Sequence, residues 1–243
     1  LLEEKQFGII RKRLKNSNMN GGFCCLFYGE AGAGKTELVK QLAKRTKRDL
    51  FMVDMSQLRS KWVGESEKNI QEIFNQYNQM IRNCKRQPIM LFNEADAIMT
   101  KRMASAERSA DKMENTIANI ILQNMEDFDD GILIATTNLA ETNMDPAYER
   151  RFLYKLKFDR PNPEVRRKIW GSMLKDVDER VVEQLSREYD FTGGQIINIQ
   201  KKKLVDEILY GAKNNYGDLR DYCEQERISG TIKHHQIGFK KDE

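Results

Sequence analysis

No run of about eighteen consecutive apolar residues occurs in this 243-residue chain, and no leader pattern opens it. A membrane span and a secretory leader are therefore not expected, and the reading is a soluble protein of the cytoplasm. Histidine is nearly missing. The two present, His234 and His235, are adjacent in a polar, basic C-terminal stretch; neighbouring side chains project in different directions, so a shared metal is not expected. The four cysteines, Cys24, Cys25, Cys84 and Cys223, have neither metal-ligand nor redox-motif spacing, which fits reduced thiols in a cytosolic protein. Net charge is also small: 41 lysines and arginines against 37 aspartates and glutamates give +4, with both signs mixed. That is not the footprint of an obligate nucleic-acid binder. Runs such as Arg11-Lys12-Arg13 and Lys201-Lys202-Lys203 read as solvated helix faces, with phosphate contact as the alternative. An initiator methionine is absent too, since the chain opens Leu1-Leu2-Glu3. It is read as a piece of a longer polypeptide whose remainder holds the targeting function.

Short apolar runs alternate with helical patterns, the rhythm of a parallel sheet covered by helices. The expected strands are Phe23 to Tyr28, Leu50 to Met55, Pro88 to Phe92, Gly131 to Thr136 and Leu153 to Phe158. Between them, Ile70, Ile73, Phe74, Tyr77 and Ile81 recur at helical spacing, as do Met113, Ile117, Ile120, Ile121 and Met125. Asp159-Arg160-Pro161-Asn162-Pro163 breaks the pattern, with Asn162 and Pro163 suited to the cap and first position of a helix. Only helices are expected beyond it, one marked by Val165, Ile169 and Met173, with Trp170 in the core. Val181, Val182 and Leu185 mark the next, and Ile196, Ile199, Leu204 and Ile208 a third. The expected organisation is an α/β domain over residues 1–160, a small all-helical domain over 161–230 and a polar tail over 231–243.

The octapeptide Gly29-Glu30-Ala31-Gly32-Ala33-Gly34-Lys35-Thr36 follows the first strand and precedes a helix. Glycines at this spacing let successive N–H groups turn inward around phosphates while the helix points its positive end at the same anion. In such a loop Lys35 reaches the β and γ phosphates and the Thr36 hydroxyl ligates Mg²⁺; Glu37, next in sequence, closes the nucleotide-contacting segment. The apolar strand Ile89-Met90-Leu91-Phe92 ends in Asn93-Glu94-Ala95-Asp96. Asparagine stands where an aspartate would support Mg²⁺, keeping an oxygen but losing a charge, whereas Glu94 supplies a carboxylate to orient and polarise an attacking water. Helix capping is the other reading of Glu94 and Asp96, and it suits Asp96 better.

These motifs, in this order, resemble an ATPase module of the AAA+ superfamily, close to its conventional AAA clade and to bacterial-type AAA ATPases. Gly131-Ile132-Leu133-Ile134-Ala135-Thr136-Thr137-Asn138 resembles the sensor-1 strand, and Asp145-Pro146-Ala147-Tyr148-Glu149-Arg150-Arg151-Phe152 resembles the arginine-finger segment. The resemblance implies a P-loop NTPase fold: a parallel five-stranded sheet in the order 5-1-4-3-2, flanked by helices and followed by a helical lid. It implies ATP or ADP with Mg²⁺ between the two, and a homo-oligomeric, hexameric ring. Asn138 would contact the γ phosphate or the water. Arg150 and Arg151 would be offered to a neighbour's γ phosphate, with Arg151 the firmer candidate; a finger is worth roughly 10³–10⁵ in rate. Solvated or salt-bridged arginines are the alternative. Phe191-Thr192-Gly193-Gly194-Gln195 lacks the lid arginine of many relatives, as the conventional clade does, and Gly193 and Gly194 would allow backbone to approach adenine and ribose; a plain helix-start turn explains them as well.

Lys61-Trp62-Val63-Gly64-Glu65-Ser66 resembles the pore loop of AAA protein remodellers, whose aromatic ring grips an extended polypeptide through apolar contact. A packed core position is the alternative for Trp62. The expected function is ATP-driven remodelling or unfolding of a polypeptide by a ring. A slow nucleotide-gated switch or assembly scaffold is the second reading, kept alive by Asn93. Nucleic-acid translocation stands third, and nucleic acid is not expected as a partner.

Overall fold

The computed structural model describes residues 2–60, 66–100, 109–211 and 216–227. Lys61, Trp62, Val63 and Gly64, and the C-terminal stretch 231–243, lie outside the described residues. The chain divides after Asp159 into two compact units.

The first unit runs α1 (Glu4–Asn16), β1 (Phe23–Gly29), α2 (Lys35–Thr46), β2 (Leu50–Asp54), α3 (Met55–Ser60), α4 (Ser66–Asn83), β3 (Ile89–Asn93), α5 (Asp96–Met99), α6 (Ser109–Glu126), β4 (Ile132–Thr137), α7 (Pro146–Glu149) and β5 (Tyr154–Phe158). All strand pairs are parallel, in the order β2-β3-β4-β1-β5. Both faces of the sheet are covered, which is why its central strands read as continuous apolar runs. Alternation in β1 places Cys24 and Leu26 in one core with Phe74, Phe92 and Ile121, and Phe23, Cys25 and Phe27 in the other with Phe7 and Val39. Burial pushes the Cys24 and Cys25 thiols up to about 12, so both remain protonated at neutral pH.

Each expected strand is present, with ends shifted by a residue. Met55 opens α3 rather than closing β2, because the Asp54 carboxylate accepts from the Ser56 and Gln57 N–H groups at 3.0 and 3.4 Å and turns the chain into a helix.

The second unit is all helical over its described residues: α8 (Pro163–Met173), α9 (Glu179–Glu188), α10 (Gly193–Tyr210) and α11 (Tyr216–Glu226). Asn162 caps α8, its side chain accepting from Val165 N, with Pro163 in the first turn. Trp170, Leu185, Tyr189, Ile196 and Leu219 form its core. The stripe read on α10 is only half right. Ile196 and Ile199 face inward, but Leu204 and Ile208 are 49% and 84% exposed. The buried line continues through Lys203, whose ammonium is bonded to Asp176 and Glu207. A paired charge holds a core position that apolar periodicity assigns to its neighbour.

One buried hydroxyl ties α4 to the strand ends. Tyr77 is fully buried, and its hydroxyl lies 2.8 Å from Pro88 O and 2.8 Å from Ile132 N. Gly131, at φ +110°, makes room for it: a Cβ there would stand 2.6 Å from that hydroxyl. Tyr77→Phe leaves buried polar groups without a partner, so unfolding in urea should show a loss of about 1–3 kcal/mol with little change in slope.

Candidate nucleotide site

Strand register brings three loops to one end of the sheet. Tyr28 pairs with Thr137 and Phe92 with Ala135. The segments after β1, β3 and β4 therefore meet at the carboxyl ends of adjacent strands, where ligands of open α/β sheets bind. Gly29 is held at φ +127°, and a Cβ on it would lie 2.2 Å from Phe158 O, so only glycine lets β1 turn against β5 there. Gly32 and Gly34 also take left-handed backbone, at φ +74° and +93°. Gly34 caps α2 with no side chain to cover the first N–H groups. The helix start is thus open to an anion, with Glu30, Ala31 and Ala33 filling the loop between the glycines.

Lys35 is buried at the mouth of this loop. Its ammonium donates to Gly29 O at 2.9 Å, Glu30 O at 2.7 Å and Asn138 Oδ1 at 2.9 Å, using all three of its protons. Burial lowers its pKa, against the raising effect of Asp96 and Glu30. Glu37 lies on the exposed side of α2, its carboxylate accepting from Gln41 at 3.0 Å.

Asn93 Oδ1 accepts from the Thr36 hydroxyl at 2.7 Å and from the Thr136 hydroxyl at 3.2 Å. Donating its proton to Asn93 leaves the Thr36 oxygen lone pairs for a cation, so this pair fits Mg²⁺ held jointly with nucleotide phosphates. Among the described residues no group of three or more His, Cys, Asp or Glu gathers as a metal site. Glu94 is exposed and sits at φ +54°, a strained backbone for a non-glycine residue. That conformation is latched from β4: Glu94 N donates to the Thr136 hydroxyl at 3.4 Å and Ala95 N to Thr136 O at 2.8 Å.

Asp96 is not the helix cap that the sequence suggested. Ala95 occupies that position, without a side-chain cap bond. The Asp96 carboxylate instead accepts from Asn138 N at 2.7 Å, from Asn138 Nδ2 at 3.2 Å and from the Thr137 hydroxyl. Thr136 is the site residue that motif reading overlooks, whereas Asp96 stands out in the sequence but reads as a cap. The alternation in β4 offers the signal for Thr136, a hydroxyl breaking an apolar run two residues before Asn138.

The two arginines differ. Arg151 donates to Leu122 O at 3.1 Å, to Ala147 O at 2.6 Å and to the Glu126 carboxylate. It brackets α6 to α7 within its own chain, and the sequence preference for Arg151 as the finger meets a guanidinium already committed. Arg150, at the end of α7, is exposed. In the second unit Gly193 and Gly194 form the first turn of α10, behind a capping box made by Thr192 and Gln195.

A phosphate loop that leads from a central parallel strand into a helix, with its lysine and hydroxyl in place, makes this a P-loop NTPase. The profile of the ATPase family associated with various cellular activities (AAA) matches residues 25–160, and the chain belongs to that family. It is 29% identical over 188 residues to an ATPase family AAA domain-containing protein of Arabidopsis thaliana, covering 72% of this chain and 26% of that one. It is 28% identical over 235 residues to a putative 26S proteasome regulatory subunit homolog of Methanocaldococcus jannaschii, covering 95% and 60%. A spastin homolog of Caenorhabditis elegans is 32% identical over 154 residues, covering 62% and 28%. The chain thus spans about a quarter to three-fifths of the length of these relatives. No helix among the described residues is long and apolar enough to cross a membrane.

Arg151→Ala removes three bonds from a largely buried guanidinium. It should lower the stability of the chain by about 1–3 kcal/mol, read as a fall in the urea midpoint.

Proposed function

We propose that this chain hydrolyses ATP to ADP and phosphate as one subunit of a homo-oligomeric ring, of hexameric form, that remodels polypeptides in the cytoplasm. The observation that carries hydrolysis is the backbone of Glu94, held at φ +54° by Thr136 beside the Thr36–Asn93 pair. Strain of this kind costs about 1–3 kcal/mol and persists where it serves a site. In the reaction Gly29 to Thr36 cradle the phosphates, and Lys35 leaves its three carbonyl acceptors for the β and γ oxygens. Thr36, with Asn93 behind it, holds Mg²⁺, which when bound neutralises phosphate charge. Glu94 orients the attacking water and draws its proton.

Arg150 is the side chain offered across the ring, because Arg151 is tied to α6 and α7 of its own subunit. The second unit, over 161–230, has the part of the helical lid that the family resemblance implies, with Gly193 and Gly194 as its candidate nucleotide-contacting residues. Lys61, Trp62, Val63 and Gly64 would grip the substrate, as the resemblance of this segment to the pore loop of AAA protein remodellers implies. Asn93 favours a second reading, a slow nucleotide-dependent switch or scaffold, because it withdraws a charge from beside the metal.

Steady-state ATP hydrolysis over rising protein concentration tests this, with ATP binding measured in parallel. Turnover per subunit should climb with concentration. Glu94→Gln should keep ATP binding and lose about 10²–10⁴ in turnover. Arg150→Ala should keep binding by dilute subunits and lose about 10³ or more once assembled. Undiminished turnover in Glu94→Gln removes that residue from the reaction. Binding without turnover in the parent, restored by Asn93→Asp, makes the switch the function.

A further inference from the structure

One carbonyl oxygen serves two hydroxyls beside the phosphate loop. Asn93 Oδ1 accepts from Thr36 at 2.7 Å and from Thr136 at 3.2 Å, and a carbonyl oxygen has two lone pairs, so both are used. The amide cannot turn over without loss. Thr136 is only 2% exposed and its hydroxyl oxygen takes Glu94 N at 3.4 Å, so among the described residues its single proton has Asn93 Oδ1 as its acceptor. The Thr36 proton makes the same demand on Asn93 whenever its own oxygen faces a cation.

What Asn93 has left to offer is its NH₂. Among the described residues no group accepts from Nδ2. An aspartate in this place has a second oxygen for the waters around a cation, whereas the amide has two N–H donors there. A water bound to a cation offers protons, so an N–H group beside it is repelled; a phosphate oxygen is an acceptor, and an N–H group beside it is satisfied. Two neighbouring carboxylates are committed elsewhere. Asp96 is turned to Asn138 and the Thr137 hydroxyl, and Asp54, opposite Asn93 in the β2–β3 register, holds Ser56 N at 3.0 Å and the Ser56 hydroxyl at 2.7 Å.

We propose that Asn93 donates to nucleotide phosphate, and that the site therefore takes a nucleotide free of divalent cation almost as readily as its Mg²⁺ complex. This rests on reading Gly29–Thr36 as the nucleotide site and concerns which form of the nucleotide that site selects. Thr136 acts on the choice through Asn93, by keeping the amide oxygen occupied. A cation that enters with the phosphates meets the Thr36 oxygen but no acceptor on Asn93, so the protein adds little to its hold.

The test is the affinity of the full chain for a fluorescent ATP analogue, with unlabelled ATP in competition, in excess Mg²⁺ and in EDTA. The proteins are the parent, Asn93→Asp, Asn93→Ala and Lys35→Ala. In the parent the two affinities should differ by less than about tenfold, the worth of one hydrogen bond to a charged group. Asn93→Asp should weaken binding in EDTA by about tenfold or more, because a carboxylate then stands near phosphate, and should raise the ratio of Mg²⁺ to EDTA affinity by as much. Asn93→Ala should weaken binding in EDTA by about tenfold through loss of the donor.

A parent that binds more than about tenfold more tightly in Mg²⁺ than in EDTA would overturn the proposal. Unchanged EDTA binding in Asn93→Ala would overturn it as well, since the amide then donates nothing, and so would an Asn93→Asp ratio equal to that of the parent. Should Asn93→Asp fail to fold, the parent ratio decides, because it needs no variant. Binding that Lys35→Ala leaves intact would sink the nucleotide reading itself, and is distinct from every outcome above.

Discussion

The parallel pairing of β1 with β4 is the constraint on which the site depends. Because Tyr28 stands opposite Thr137, Gly29 and Asn138, the next residues along the two chains, arrive at the same height, and Lys35 reaches Asn138 across a distance that its own four-carbon stem can span. Slip this register by one residue and every side chain in β4 changes face. Thr136, which holds both Asn93 and Glu94, would then point into the opposite core. The register is protected by burial on both faces of β1 and β4, whose side chains interlock with two separate apolar cores. Chemistry at the sheet end is therefore paid for by hydrophobic packing along its length.

Around that pairing the site is a network of acceptors arranged for a cation. Lys35 uses three oxygens, Asn93 receives two hydroxyls and Asp96 receives three donors. The hydroxyls of Thr36, Thr136 and Thr137 are all spent in orienting side chains. Few polar groups are left to reorganise when an anion enters, apart from the lysine.

The sheet was legible because its strands obey one rule, burial on both faces, and the phosphate loop because its glycines obey another. Residues acting through partners far away in sequence were not legible. Asp96 reads as a helix cap until the fold brings it to Asn138, 42 positions on. Arg151 reads as a finger, with a solvated or salt-bridged side chain as the alternative, until α6 supplies Leu122 O and Glu126. Leu204 and Ile208 show the same limit in the helical unit: periodicity assigns them to the core, but the place is taken by Lys203 with Asp176 and Glu207. A paired buried charge carries no apolar signature, and its partner on another element is invisible along the chain.

The contact between Gly29 and Phe158 has a mechanical meaning. Glu30 N donates to Phe158 O at 3.3 Å, and the same carbonyl lies so near Gly29 that no side-chain carbon fits between. Asp159, the last residue of the first unit, follows directly. The phosphate loop and the exit strand are therefore joined without slack, like two links sharing a pin. The turn beside Lys35 and the end of β5, one residue before Asp159, share one close backbone contact that leaves no room for a side chain between them.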